Sequence, residues 1–478
     1  MHRRGRLARL GVVAALAAGA ALSGAPATAA GDDDSPQQKR PKKWDERVLP
    51  LVDAVESLRG LHFEHPVPVE FLTDRTFEKE LESDPGQLTK QERQDLEDST
   101  AALRALGLFE GDADALFESA TEVDAEGTLA FYDIEEERVA IRGQDLDVET
   151  EVTVVHELVH ALQDQHFNLD KLTDDTETSA EELALDALIE GDAVRIEEDY
   201  VAGLSPEAQD EYYAASANTA AGIDEGLSDA VPEIIPVTFA LPYDLGRFFV
   251  LDLVTAGENE RVDDAFADPP VTDEHVLDAA TFLSGDEPDD IARVPLADDE
   301  KRVGERDAFG AITWYLTLAA RIDRGVALEA AEGWGGDEFV QFKRNGDSCV
   351  RIGVAGETPA DTDQMAAALD QWVATLPAGA ARTDRTDVIT LTSCDSDEGL
   401  PPAPNSIDDA ETLLFNRADL AYFLSQPPDP IEPALARCAA TRLVLDPANT
   451  QLIEATEFTE EQAVAFFDRV DAAVAECG

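Results

Sequence analysis

Basic residues are scarce in this chain. Its 478 residues carry 36 Lys and Arg against 102 Asp and Glu, a formal net charge of −66. A field of that sign repels phosphate backbones and anionic headgroups, which excludes nucleic-acid and acidic-membrane partners. It suits either a solvated surface that keeps an exported protein soluble or adaptation to high salt, where counterions screen the self-repulsion. Methionine is rarer still, at two residues, Met1 and Met365, and histidine totals seven. The four cysteines, Cys349, Cys394, Cys438 and Cys477, never take the Cys-x-x-Cys spacing of a zinc ribbon or redox motif. No Asp-x-Asp-x-Asp-Gly loop names a calcium site. Beyond the N-terminus no segment approaches twenty uncharged apolar residues, so no membrane contact is expected of the mature chain.

The N-terminus itself reads as a secretory signal peptide over residues 1–30. "HRRGR" is a basic n-region, "LARLGVVAALAAGAALSG" a short apolar stretch, and "APATAA" an Ala-x-Ala cleavage site around Ala27 to Ala29. No cysteine follows it to take a lipid. Residues 31–45, polar and Pro-containing, read as a flexible linker. Secretion fits the even cysteine count, which outside the cell implies disulfides. Cys349 lies in one expected strand and Cys394 ends another, and Cys438 and Cys477 bracket the last section. The expected pairs are therefore Cys349–Cys394 and Cys438–Cys477.

Helical periodicity dominates the rest. "RVLPLVDAVESLRGL", "TKQERQDLEDSTAALRALGLF" and the stretch from Ala180 to about Ala202 read as helices, and so does most of 205–260, with a break at "VPEIIPVTFALPYDLG". "PVPVEFLT" reads as a strand and "TLAFYDIEEERVAIRG" as a β-hairpin. "FADPPVTDEHVLDAATFL" reads as irregular, and "RDAFGAITWYLTLAARI" as helix. After "GWGGDEFVQF" the texture turns to strand, helix, strand.

Chemistry concentrates in "TVVHELVHALQDQHF", residues 153–167. His156 and His160, four apart on a helix, share one face about one turn apart and can converge on one ion. Glu157 then sits beside a metal-activated water and can act as general base. The neighbours Leu158, Val159, Ala161 and Leu162 give a water-poor wall. Asp145 or Asp147 can cap the helix, with Glu149 and Glu151 in its first turn.

Tetrahedral zinc needs a third protein ligand. His166 falls where the metzincin pattern His-Glu-x-x-His-x-x-Gly-x-x-His has its third histidine. The glycine that pattern needs is Gln163 here, a good helix former, and Met365 supplies no methionine turn. On a continuing helix His166 points roughly 80° away from His156 and lies about 15 Å further along the axis. A second candidate lies in "TSAEELALDALIEGDAV", which opens with a capping box read as Ser179 to Glu182. There Leu183, Ala187, Glu190 and Val194 share one helical face, and a carboxylate on an apolar face is costly unless paired or metal-bound. Glu190 is therefore the expected third ligand. Asp186 and Asp192 are candidates to hold a histidine's other nitrogen, and His166 is expected beside the site or at the surface.

With those residues in hand, the chain resembles the gluzincins, zinc peptidases with His-Glu-x-x-His on one helix and a glutamate on a later one. More narrowly it resembles a family of exported bacterial proteins whose texture is "HELVHALQDQHF", "ALIEGDA", "AFADPPVTDEHVLD" and "GWGGDEF". All four occur here in that order between residues 156 and 339. The resemblance implies His156, His160 and Glu190 as zinc ligands and Glu157 as base. The family has Gln then His where His275 and Asp278 stand here, so a role for His275 in stabilising an oxyanion is the weaker reading and a plain loop histidine the stronger.

The expected protein is thus α+β and mainly helical. A zincin-like domain over 46–340 carries a small sheet beside the histidine helix, and a disulfide-bearing α+β region follows over 341–478. The expected function is a secreted Zn2+-dependent peptidase acting on a peptide or protein, with an extended substrate paired to the strand before the histidine helix. The alternative is a non-catalytic exported protein in which a metal staples a scaffold, but Glu157 would have no purpose in a closed structural site.

Overall fold

The computed structural model describes residues 40–478 apart from 82–85, 87, 229, 386–387, 396–398, 429, 450–452 and 454–458. The expected signal peptide and residues 31–39 lie outside the described residues. Of the expected linker, residues 40–45 are tied down: Arg40 pairs with Glu137 at 2.8 Å and Trp44 packs edge-on against Phe63.

The fold is α+β and mainly helical, with two small sheets. The first is β1 (Val69–Leu72), β2 (Ala130–Asp133) and β3 (Arg138–Arg142), in the order β1-β3-β2. The expected hairpin is β2 and β3, antiparallel, and β1 joins β3 in parallel. β3 leads directly into the histidine helix, Val148–Phe167, which Asp147 caps by accepting the Thr150 N–H at 2.9 Å. Because β3 is the middle strand, it has no edge to offer. The edge strands are β1 and β2, a correction to the expected pairing strand.

The glutamate helix, Ser179–Ala202, crosses the histidine helix and packs against a long helix, Ile234–Ala267. Its capping box is Thr178 with Glu181, one residue before the expected pair. The expected break at 231–246 is also misplaced. Helix Pro206–Gly226 ends, and the long helix starts at Ile234 and continues through Pro242, breaking locally only at Gly257 and Glu258. By length and composition the long helix could cross a membrane, yet 61% of its apolar window is buried in the fold.

The glutamate and long helices touch backbone to backbone. A Cβ on Gly191 would strike the carbonyl of Gly246, and one on Gly246 would strike the carbonyl of Ala187. Glu190 is therefore set in depth by a contact that only glycine permits. Gly246→Ala should cost about 1–3 kcal/mol by forcing the helices apart. It should also weaken metal binding by displacing Glu190, read by thermal melting and by metal titration of the same sample.

The second sheet comprises β4 (Lys301–Asp307), β5 (Trp334–Arg344), β6 (Asp347–Gly356), β7 (Ala381–Arg385) and β8 (Ile389–Asp395), antiparallel in the order β4-β5-β6-β8-β7. Asn345-Gly346, both at positive φ, makes the tight β5–β6 turn. The expected domain boundary at 340–341 falls within β5, and one apolar core runs from Val48 to Leu414. Both expected disulfides form. Cys349 and Cys394 face each other across β6 and β8 with Cα atoms 4.0 Å apart. Cys438–Cys477 ties helix Pro433–Leu445 to helix Glu460–Cys477. The two pairs are compatible with an extracellular protein.

Two of the quoted family segments have a structural use. Helix Ala311–Ala319 is apolar and lacks a side-chain cap of its own. Asp273, from "TDEH", accepts the N–H groups of Ala311 and Ile312 at 2.7 and 3.1 Å. Asp337, from "GWGGDEF", accepts the N–H groups of Phe309 and Gly310 and the indole N–H groups of Trp314 and Trp334, at 2.7 to 3.0 Å. Two carboxylates thus satisfy a buried helix N-terminus, where the helix dipole favours negative charge.

Candidate metal centre

Three side chains that the sequence places on two helices meet at one point. His156, His160 and Glu190 each present a ligand atom within 4.8 Å of the others, and all three are buried. The Nε2 atoms of the histidines lie 3.2 and 3.3 Å from the same oxygen, Glu190 Oε2. Tetrahedral zinc with ligands at about 2.0–2.2 Å requires neighbouring ligand atoms about 3.3–3.6 Å apart. The donor chemistry therefore fits such an ion, and the two histidine–glutamate spacings are close to what it needs. His160 Nε2 is buried with no well-formed hydrogen bond, which is the condition of a lone pair kept for a metal.

Each imidazole is gripped at its other nitrogen, though not by the expected aspartates. His156 Nδ1 lies 3.1 Å from Glu197 Oε2, and Tyr212 donates its hydroxyl to Glu197 Oε1 at 2.9 Å. His160 Nδ1 lies 3.0 Å from Gln163 Oε1. Asp192 acts one step further out, accepting from the Gln163 amide at 3.1 Å, from Arg59 at 2.8 Å and from Arg195 at 2.8 Å. Asp186 bears on the site by charge, through its field at Tyr243. Glu197 and Gln163 went unread in the sequence. Glu197 lies seven residues after Glu190, two turns along the same face, and that spacing was the available signal.

Charge in the cluster is strongly coupled. Burial alone would lower the histidines, but the carboxylates beside them, Glu190 above all, hold both above the ordinary range. Burial would raise Glu190, and the two histidines outweigh it and hold it at about 2. Glu157 goes the other way: burial, only partly offset by the histidines, pushes its carboxyl up. One oxygen of Glu157 bonds to the main chain of Tyr132 on β2, while Oε2 is buried and has no partner. The ring of Tyr243, from the long helix, stacks on His156 with centroids 6.0 Å apart, and burial keeps its hydroxyl protonated.

His166 and His275 lie elsewhere. His166 is exposed, because the helix continues to Phe167, and its Nε2 rests 2.8 Å from the His62 carbonyl. His275 is bonded to the Asp286 carbonyl at 2.9 Å and packs against Phe282, so the structure makes it a fold residue.

These features define a buried three-donor site able to bind a metal ion, with a carboxylate beside it that no structural metal needs. No family model, curated protein or solved structure matches the chain.

Proposed function

We propose that this protein is an exported zinc-dependent peptidase of gluzincin type, with His156, His160 and Glu190 holding the ion and Glu157 as general base. One observation carries the reading: Glu157 Oε2 is buried, unpartnered and adjacent to the three donors. A structural site closes its coordination with four protein ligands and leaves no such group. A zinc ion held there acts as a Lewis acid that brings the pKa of water to about 7.

The chain's own residues supply the proton traffic. Glu157 Oε2 takes a proton from the attacking water and returns it to the amine nitrogen as the peptide C–N bond breaks. The Tyr132 main chain beside Glu157 favours its charged form, the form a base needs. Tyr243 offers a neutral hydroxyl beside them. The free edge of β2 is the place for an extended peptide to add as a strand. All four β2 residues are buried, as are the ligands, so substrate entry requires the covering elements to shift.

That burial is what favours the second reading, a metal-stapled scaffold without turnover. Purified protein loaded with zinc should cleave unstructured peptides, lose that activity to a chelator and regain it with zinc. Tight zinc binding with no hydrolysis of any peptide in a diverse library would select the scaffold reading instead.

A further inference from the structure

We infer that Gln163 is a positioning residue that fixes His160 as the Nδ1–H tautomer, and that Arg59 and Asp192 lock Gln163 in the one orientation that does so. The inference rests on the metal-site reading and extends it to residues that touch no ion.

A carboxamide has two ends of nearly equal shape, and its surroundings decide which is the oxygen. One end of Gln163 faces the Ile189 carbonyl at 3.0 Å and Asp192 Oδ2 at 3.1 Å. Both are acceptors, so that end is the NH2 group. The other end is then the oxygen, 3.0 Å from His160 Nδ1. An oxygen only accepts, so Nδ1 carries the hydrogen, and the lone pair of the neutral ring is left on Nε2, toward Glu190.

The orientation holds only while Asp192 stays an acceptor. Asp192 is completely buried. Arg59 donates to its Oδ2 and Arg195 to its Oδ1, each at 2.8 Å, so both oxygens already face donors and the carboxyl is held as an acceptor. Arg59 is 1% exposed, ends helix Leu49–Arg59 and also pairs with Asp263 of the long helix at 2.6 Å. Helix Leu49–Arg59 thus reaches His160 through three side chains, Arg59, Asp192 and Gln163. His156 is held differently, by a carboxylate on the wetter side of the site, so the two ligands should respond differently to damage around them.

The test begins with unmutated protein. Histidine-selective 15N NMR of the zinc-loaded chain should show His160 with zinc on Nε2 and hydrogen on Nδ1, assigned by difference from His160→Asn; zinc on Nδ1 would overturn the inference. Zinc affinity, read by competition with a chromophoric chelator, should fall about 10- to 100-fold in Gln163→Leu. Gln163→Glu should also bind weakly, because it sets two carboxylates against each other. Adding Asp192→Asn should recover most of that loss, since the new amide can donate to the new carboxylate while His160 keeps its acceptor. Rescue by a second substitution is not expected of a merely structural residue. Zinc binding by Gln163→Leu equal to wild type, or a double variant no better than Gln163→Glu, overturns the inference and leaves the metal-site reading standing. Failure of the wild type to bind zinc overturns both.

Discussion

Glu157→Gln should keep its zinc and lose hydrolysis by about 100- to 10,000-fold, the range that a general base supplies. The substitution is nearly isosteric. Its amide oxygen can keep the bond to the Tyr132 main chain, so the side chain should stay in place. What changes is Oε2, the buried oxygen without a partner. In glutamine that position becomes an NH2 group, which donates and cannot take a proton from water. The three ligands are untouched, so metal content should match wild type. Measuring zinc stoichiometry and turnover on the same preparation separates the two effects. Wild-type turnover in the variant would mean that Glu157 is not the base, and parallel loss of zinc would make it a structural residue.

How much of this site was legible depended on how local each signal was. His156, Glu157 and His160 lie within one turn and a half of a single helix, so their spacing alone places them together. Glu190 was legible for a different reason: a carboxylate among Leu183 and Ala187 on an apolar face has to be explained. Glu197 escaped because it stands in "IEEDY", where three consecutive acids look like a solvated face. Gln163 was noticed only as the absence of a metzincin glycine, although its amide does the work expected of Asp186 or Asp192. The role of Arg59 depends on a contact 133 residues distant in sequence and could not be read locally.

The fold shows the same division. Helices with apolar stripes and the buried strands β6 and β8 were visible through their periodicity, while β4, β5 and β7 were not. β4 and β7 are the edges of their sheet, with sequences "KRVGERD" and "ARTDR" that are mostly exposed and charged. Charge on an edge discourages unwanted pairing with other chains, and it also erases the alternation by which a strand is recognised. Pro242 misled in the opposite direction. Proline inside a helix costs about 3 kcal/mol locally, yet burial of Leu241, Leu245, Phe248 and Phe249 around it holds the long helix together.

Glu190→Ala and His166→Ala should separate completely in metal binding. Glu190 Oε2 is the atom both imidazoles converge on, at 3.2 and 3.3 Å. Its removal leaves two ligands, and zinc should leave under mild chelation, a loss greater than the roughly 10- to 100-fold typical of an outlying partner. The damage extends beyond affinity, because Glu190 also balances the charge of two buried histidines. With it gone, burial disfavours their protonated forms with only Glu157 and Glu197 left to oppose it. The sign follows from Glu190 itself: its carboxyl is held near 2 when folded, below its ordinary value, so its contribution is present above about pH 4.5 and is lost as pH falls toward 2. Removing it should therefore destabilise the metal-free protein at neutral pH and flatten the acid limb of its stability profile between those values. His166→Ala should do neither. That side chain is exposed, and its Nε2 contact is to the His62 carbonyl, so metal content should be unchanged and the stability cost that of one surface hydrogen bond, about 1 kcal/mol. Chelator competition on both variants, with urea melts of the metal-free forms at about pH 7, pH 4.5 and pH 2, reads every part of this contrast. Zinc retained by Glu190→Ala and lost by His166→Ala would reverse the ligand assignment.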